Sequence, residues 1–133
     1  MITEERLMKL RGDIALYESY YRRKEDLEQM RVTAVYGSDP HGGGMPHDEV
    51  GERVAKLDAL KNKISAKLID IEKELLYIET SFDRLPEQQR MVMYYRYLEG
   101  MSWRDVAKKL HYSVDHCRGY IRQHALERLM KMD

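Results

Sequence analysis

Cysteine occurs once in the 133-residue chain, at Cys117, so no disulfide can close within it and a small disulfide-stapled secreted fold is excluded. Proline occurs three times, at positions 40, 46 and 86, which leaves two long stretches free of the residue that breaks helices. Trp and Phe occur once each. Charge of one sign is not in excess either, with 23 Lys and Arg against 23 Asp and Glu, so neither an acidic tail protein nor a polybasic coating protein is at hand. No apolar run is long enough to span a bilayer. The opening residues Met1-Ile2-Thr3-Glu4-Glu5-Arg6 lack the basic-then-apolar order of a signal peptide. A soluble cytoplasmic protein is expected. Nucleophile–base constellations, a phosphate-cradling glycine loop after a strand and metal-ligand spacings are all missing, so no enzyme, cofactor or metal is expected. Cys117 and His116 adjoin in sequence, which on a helix points them about 100° apart.

Helical periodicity dominates what is present. Charged residues make up 35% of the chain and are interleaved with aliphatics, the composition of long solvated helices. Thr3 can cap a first helix over about 3–32, with Leu7, Leu10, Ile14, Tyr17 and Tyr21 repeating at three- and four-residue steps. Residues 33–47 hold four glycines and two prolines, which rule out a regular element and predict a hairpin connection. His41, His47, Asp39 and Asp48 lie there without any spacing that would hold a metal. Asp48 can cap a second long helix. One seam of that helix is Val50, Leu57, Ile64, Ile71, Ile78 and Leu85, and the other is Val54, Lys61, Leu68, Leu75 and Phe82. Leu60, Ile69 and Leu76 widen the stripe beyond one partner. The expectation is an all-α protein: residues 1–84 a long antiparallel helical hairpin of coiled-coil type that pairs two copies into a homodimer, and residues 85–133 a separate domain.

That second domain begins with Pro86 at the first turn of a helix that Gly100 stops, its inner face formed by Met91, Val92, Tyr95 and Leu98. Ser102 is an N-cap with Asp105 three residues on, and Val106, Ala107 and Leu110 make one apolar face. His111-Tyr112 forms a turn, Ser113 a second cap. Cys117, Ile121, Ala125 and Leu129 then recur every four residues, with Val114 and Tyr120 beside them. Two helices this short must bury their faces against each other and a third, which is the helix-turn-helix arrangement. Its second helix can enter a DNA major groove. Asp115, His116, Arg118, Gly119, Arg122 and Gln123 turn away from the apolar stripe, with Arg118 and Arg122 one turn apart and suited to phosphate or to guanine O6/N7. Gly119 costs a helix about 1 kcal/mol relative to Ala, and a close approach from outside is one reason to carry it. Arg104, Lys108 and Lys109 sit where the first helix of the pair crosses a DNA backbone, and Ser113 opens the second. Residues 83–133 carry 10 Lys and Arg against 7 Asp and Glu, a net +3, while residues 1–82 carry 13 against 16, a net −3. The basic bias therefore falls on the helix-turn-helix half.

Leu85-Pro86, Arg96-Tyr97-Leu98-Glu99-Gly100, Ser102, Asp105-Val106-Ala107, Leu110, Ser113 and Ala125-Leu126, in that order, resemble the region-four helix-turn-helix module of bacterial sigma factors. The resemblance implies a three-helix domain that binds a promoter element on double-stranded DNA and can touch RNA polymerase. His111 stands where that pattern usually has glycine, Cys117 where it has Val or Ile, and Gly119 interrupts the recognition helix. The first 82 residues do not resemble the promoter-melting sigma domain. With the Gly42-Gly43-Gly44-Met45-Pro46-His47 stretch before a heptad helix, the whole resembles small phage and prophage proteins, the ArpU/RinA-type regulators of late transcription among them. That resemblance implies control of late or packaging genes. A DNA-packaging protein of the terminase small subunit kind, and a sigma-like module working through polymerase contact, are the alternatives.

Overall fold

A computed structural model of the chain describes residues 1–36 and 47–132, and the side chains of residues 1–30 and 50–132. The described residues are helical throughout, without a strand: α1 (Glu4–Tyr36), α2 (His47–Phe82), α3 (Glu87–Met93), α4 (Trp103–Leu110) and α5 (Arg122–Met130). Two π-helical segments, Tyr94–Leu98 after α3 and His116–Ile121 before α5, extend those helices. The all-α architecture expected from the periodicity is what forms. Thr3 starts α1 as predicted, its Oγ1 accepting from the Arg6 N–H at 3.2 Å. The helix runs past residue 32 to Tyr36. The glycine-rich stretch 37–46 and the side chains of His47 and Asp48 lie outside the described residues, and α2 begins at His47, one residue before the expected cap.

The chain divides into two compact units, one of Met1–Asp13 with Ile71–Asp133 and one of Ile14–Asp70. The packing groups the first 13 residues and the end of α2 with the C-terminal helices. Apolar burial is the reason: Ile2, Leu7 and Leu10 are buried to 2% exposure or less within the first unit, as are Ile78 and Phe82 from the end of α2. Each such Leu or Ile contributes about 1.5–3 kcal/mol relative to leaving it in water. The N-terminal turns thus belong with the helix-turn-helix, and polar contacts tie them there. Arg6 pairs with Glu74 through both guanidinium branches and lies 4.4 Å over the Tyr77 ring. The Arg11 Nη1 donates to the Leu98 carbonyl at 3.1 Å.

In the second unit, residues 14–36 of α1 and 47–70 of α2 run antiparallel. The Lys63 ammonium lies 5.6 Å over the Tyr20 ring, while Leu27 faces Lys56, Ala59 and Leu60 across a groove of about 430 Å³. Leu57, Leu60 and Ile64 are buried as the heptads require. Three expected seam residues are not: Val50, Val54 and Tyr21 are all at least 40% exposed. A single facing helix covers only part of the apolar stripe, so residues at its margin stay exposed.

Candidate nucleic-acid interface

Within the first unit, Val92, Val106, Ala107, Cys117 and Ile121 form one buried cluster, with Tyr95, Met101, Trp103, Leu110 and Val114 packed against it. Three helices meet there as the apolar spacings predict. Gly100 ends the first of them at φ +73, a left-handed conformation, and an added Cβ would collide with the Arg11 guanidinium. Ser102 Oγ accepts from the Asp105 N–H at 3.1 Å and Ser113 Oγ from the His116 N–H at 3.1 Å, so both predicted caps are made. Between them, His111 takes the left-handed conformation at φ 61, the one non-glycine among the described residues to do so. His is among the side chains that visit that region more readily than most, at a cost of about 1–2 kcal/mol against glycine. The Tyr112 N–H then reaches the Ala107 carbonyl at 3.0 Å, closing the turn.

The π-helical segment has a physical cause in the sequence. An α-helix advances 100° per residue, so a stripe repeating every four residues drifts by about 40° at each step. Cys117, Ile121 and Ala125 nevertheless stay fully buried. Widening the turn across His116–Ile121 underwinds the helix and holds that stripe against the core. Burial pushes the Cys117 thiol above its ordinary range, so it behaves as a small apolar side chain and not as a thiolate.

The predicted contact residues separate into three groups. Asp115, Gly119 and Gln123 stand exposed on the edge of the helix opposite the core, as expected. At Gly119 an added Cβ would meet nothing within 4 Å, so the fold itself does not call for glycine there. Arg104 and Lys108 are exposed on α4, and neither enters an ion pair among the described residues. Lys109 is exposed too, but its ammonium lies 4.8 Å over the Tyr95 ring. Arg118 and Arg122 of the recognition helix are both engaged within the molecule. Arg118 lies 3.7 Å from Asp115 and stays open to solvent. Arg122 is turned back: its Nη1 donates to Glu4 Oε1 at 2.7 Å, its Nε to the Arg118 carbonyl at 2.8 Å, and its guanidinium lies 6.0 Å over Trp103. Glu4 also accepts from the Tyr97 hydroxyl at 3.2 Å. Burial, with the Glu4 charge beside it, raises the Tyr97 phenol above its ordinary value. Arg122, expected among the DNA contacts, is held here by a carboxylate 118 positions earlier in the chain.

Tyr120 is the other correction. It was expected beside the apolar stripe, yet it is 56% exposed. With Tyr112, His116 and His124 it forms a continuous ladder of rings. Tyr112 meets His116 edge-on at 5.4 Å, His116 stacks on Tyr120 at 5.2 Å and 9°, and Tyr120 meets His124 at 4.3 Å. Tyr112, Tyr120 and His124 were missed as surface residues by sequence reasoning. Their four-residue period is the available signal, one position before the Cys117, Ile121, Ala125 and Leu129 stripe.

Residues 75–129 match the family described as Sigma-70, region 4. No curated protein and no solved structure matches the chain. The C-terminal part of the protein thus resembles a sigma-70 region 4 helix-turn-helix domain, as the Leu85–Leu129 motifs predict. The match begins ten residues before Leu85, inside α2, in keeping with the unit that Ile71 opens. No helix among the described residues is long and apolar enough to cross a membrane.

Proposed function

We propose that the protein is a sequence-specific transcription regulator that binds double-stranded DNA through the helix running from Ser113 to Met130. The observation that carries this reading is the edge formed by Asp115, Gly119 and Gln123: polar, exposed and open above Gly119, on a helix whose other side closes the domain core. A major groove about 12 Å wide admits a helix presented in this way. Arg104 and Lys108 on α4 supply phosphate contacts beside it, and Arg118 supplies one at the price of its loose pairing with Asp115. Arg122 acts indirectly, by holding the helix against α1. The protein is not an enzyme and works without a cofactor in the cytoplasm.

Control of late or packaging genes in a phage or prophage is supported by the resemblance of the Gly42–His47 stretch and its following heptads to regulators of that kind. Pairing into a homodimer is supported by the apolar residues Val50, Val54 and Ile69, which one copy leaves exposed. RNA polymerase is a second partner by the same family resemblance. Capture of genomic fragments by the full-length protein, followed by sequencing, tests the reading. A short recurrent motif upstream of one operon is the expected result, and a profile without any enriched motif refutes it. Mass in solution separates the packaging alternative, since a ring of many subunits would favour it over a dimer.

A further inference from the structure

We propose that the Tyr112–His116–Tyr120–His124 ladder, more than the arginines, sets the base preference of the recognition helix, and that the group it recognises is the thymine 5-methyl. The inference rests on the duplex-binding reading above and adds which side chains discriminate and what they select.

Three observations lead to it. The arginines on one flank of the helix are drawn inward or paired, Arg122 to Glu4 and Arg118 to Asp115. The opposite flank carries the four rings, of which Tyr112 is 40% and Tyr120 56% exposed. Gly119 lies between the flanks with open space above it, so the duplex can settle onto the helix next to the rings. The ladder thus forms a wall beside the point of closest approach.

The chemistry of that wall narrows the partner. Phosphate contacts position a helix without reading sequence, so a tyrosine hydroxyl that donates to one adds no base preference. Unpaired bases stack on ring faces, but the faces that neighbouring rings turn toward each other are already taken: His116 and Tyr120 lie parallel at 9° and 5.2 Å, and Tyr120 meets His124 at 4.3 Å. Tyr112 and Tyr120 stay exposed beside these stacks. In the major groove the apolar feature of a base edge is the thymine methyl, which apolar side chains contact, whereas guanine presents two acceptors that call for a free arginine or lysine. A row of rings at four-residue intervals therefore favours sites with thymines along one side of the groove.

The test uses the full chain and duplexes selected by it from a random pool. In each selected duplex, thymidines are replaced one at a time by deoxyuridine, which removes the methyl and nothing else. Wild-type affinity should fall about fourfold at each contacted position, the loss expected for exposing one methyl-sized group. Tyr120→Ala should bind the thymidine and deoxyuridine duplexes alike, with an unchanged melting temperature because the ring is on the surface. Arg118→Ala should weaken both equally and flatten the salt dependence. Equal wild-type binding to thymidine and deoxyuridine duplexes at every position would overturn the proposal. So would full retention of the difference in both Tyr120→Ala and His116→Ala. A pool that shows no enrichment at all would instead bring down the duplex-binding reading, and this inference with it.

Discussion

Gly119→Ala separates what the fold requires from what a bound duplex requires. In the free protein the added Cβ meets nothing within 4 Å, and the backbone there does not take a left-handed conformation. The substitution should then return the helix penalty of glycine, about 0.8–1.0 kcal/mol. For a cooperative unit of 60–100 residues, 1 kcal/mol raises the melting temperature by about 4–8 °C. Gly12→Ala is the matched control, since Gly12 lies in α1 of the same unit and its Cβ also meets nothing. Both variants should melt higher by circular dichroism at 222 nm. Only Gly119→Ala should lose affinity for the selected duplex, by about tenfold, because a methyl forced into a close-packed contact costs about 1–3 kcal/mol. If Gly119→Ala melts lower than the wild type, the helix needs glycine after all. If it binds as well as the wild type, nothing approaches the backbone there and the open edge loses its significance.

Glu4→Ala removes the acceptor shared by Arg122 and Tyr97 and should lower the melting temperature of the first unit by several degrees, as expected for about 1 kcal/mol from a half-exposed charged cluster. Unchanged stability would mean that the N-terminal turns do not brace the recognition helix through this carboxylate. His111→Gly relieves a left-handed conformation at φ 61 and should stabilise by about 1 kcal/mol, read as a shift of the denaturation midpoint with unchanged slope. Alkaline pH should destabilise the first unit. Cys117 and Tyr97 have folded-state values above the ordinary 9.0 and 10.0, so the fold favours their protonated forms. Their contribution is complete below pH 9 and is lost as pH rises through the raised values, because the folded state then binds more protons than the unfolded chain. Urea midpoints measured from pH 8 to 11 should fall, and a Cys117→Val variant should fall less steeply over the lower part of that range.

Much of the fold was legible without coordinates because local rules carry it. Ser102 and Ser113 cap their helices, Gly100 and His111 end theirs in left-handed conformations, and Val106, Ala107, Cys117 and Ile121 are buried together. The caps and helix ends depend on residues within about four positions of one another, where helix geometry dictates who meets whom, and the burial follows from the period of each apolar stripe. The candidate site was legible only as a helix face. Its exposed centre, Asp115, Gly119 and Gln123, follows from counting residues away from the buried stripe.

What the tertiary structure decided are the matters that spacing cannot express. Whether Arg122 is free depends on Glu4, and whether residues 1–13 join the helix-turn-helix depends on Ile2, Leu7 and Leu10 finding room in its core. The π-helical turn at His116–Ile121 is likewise a compromise between backbone hydrogen bonding and a four-residue stripe that has to remain inside. It aligns His116 with Tyr120 as a by-product and so builds the ring ladder. Local sequence determines helices and their ends through short-range sterics and hydrogen bonds. Which surface charges survive folding is settled by contacts between distant segments, and no periodicity in the chain records those.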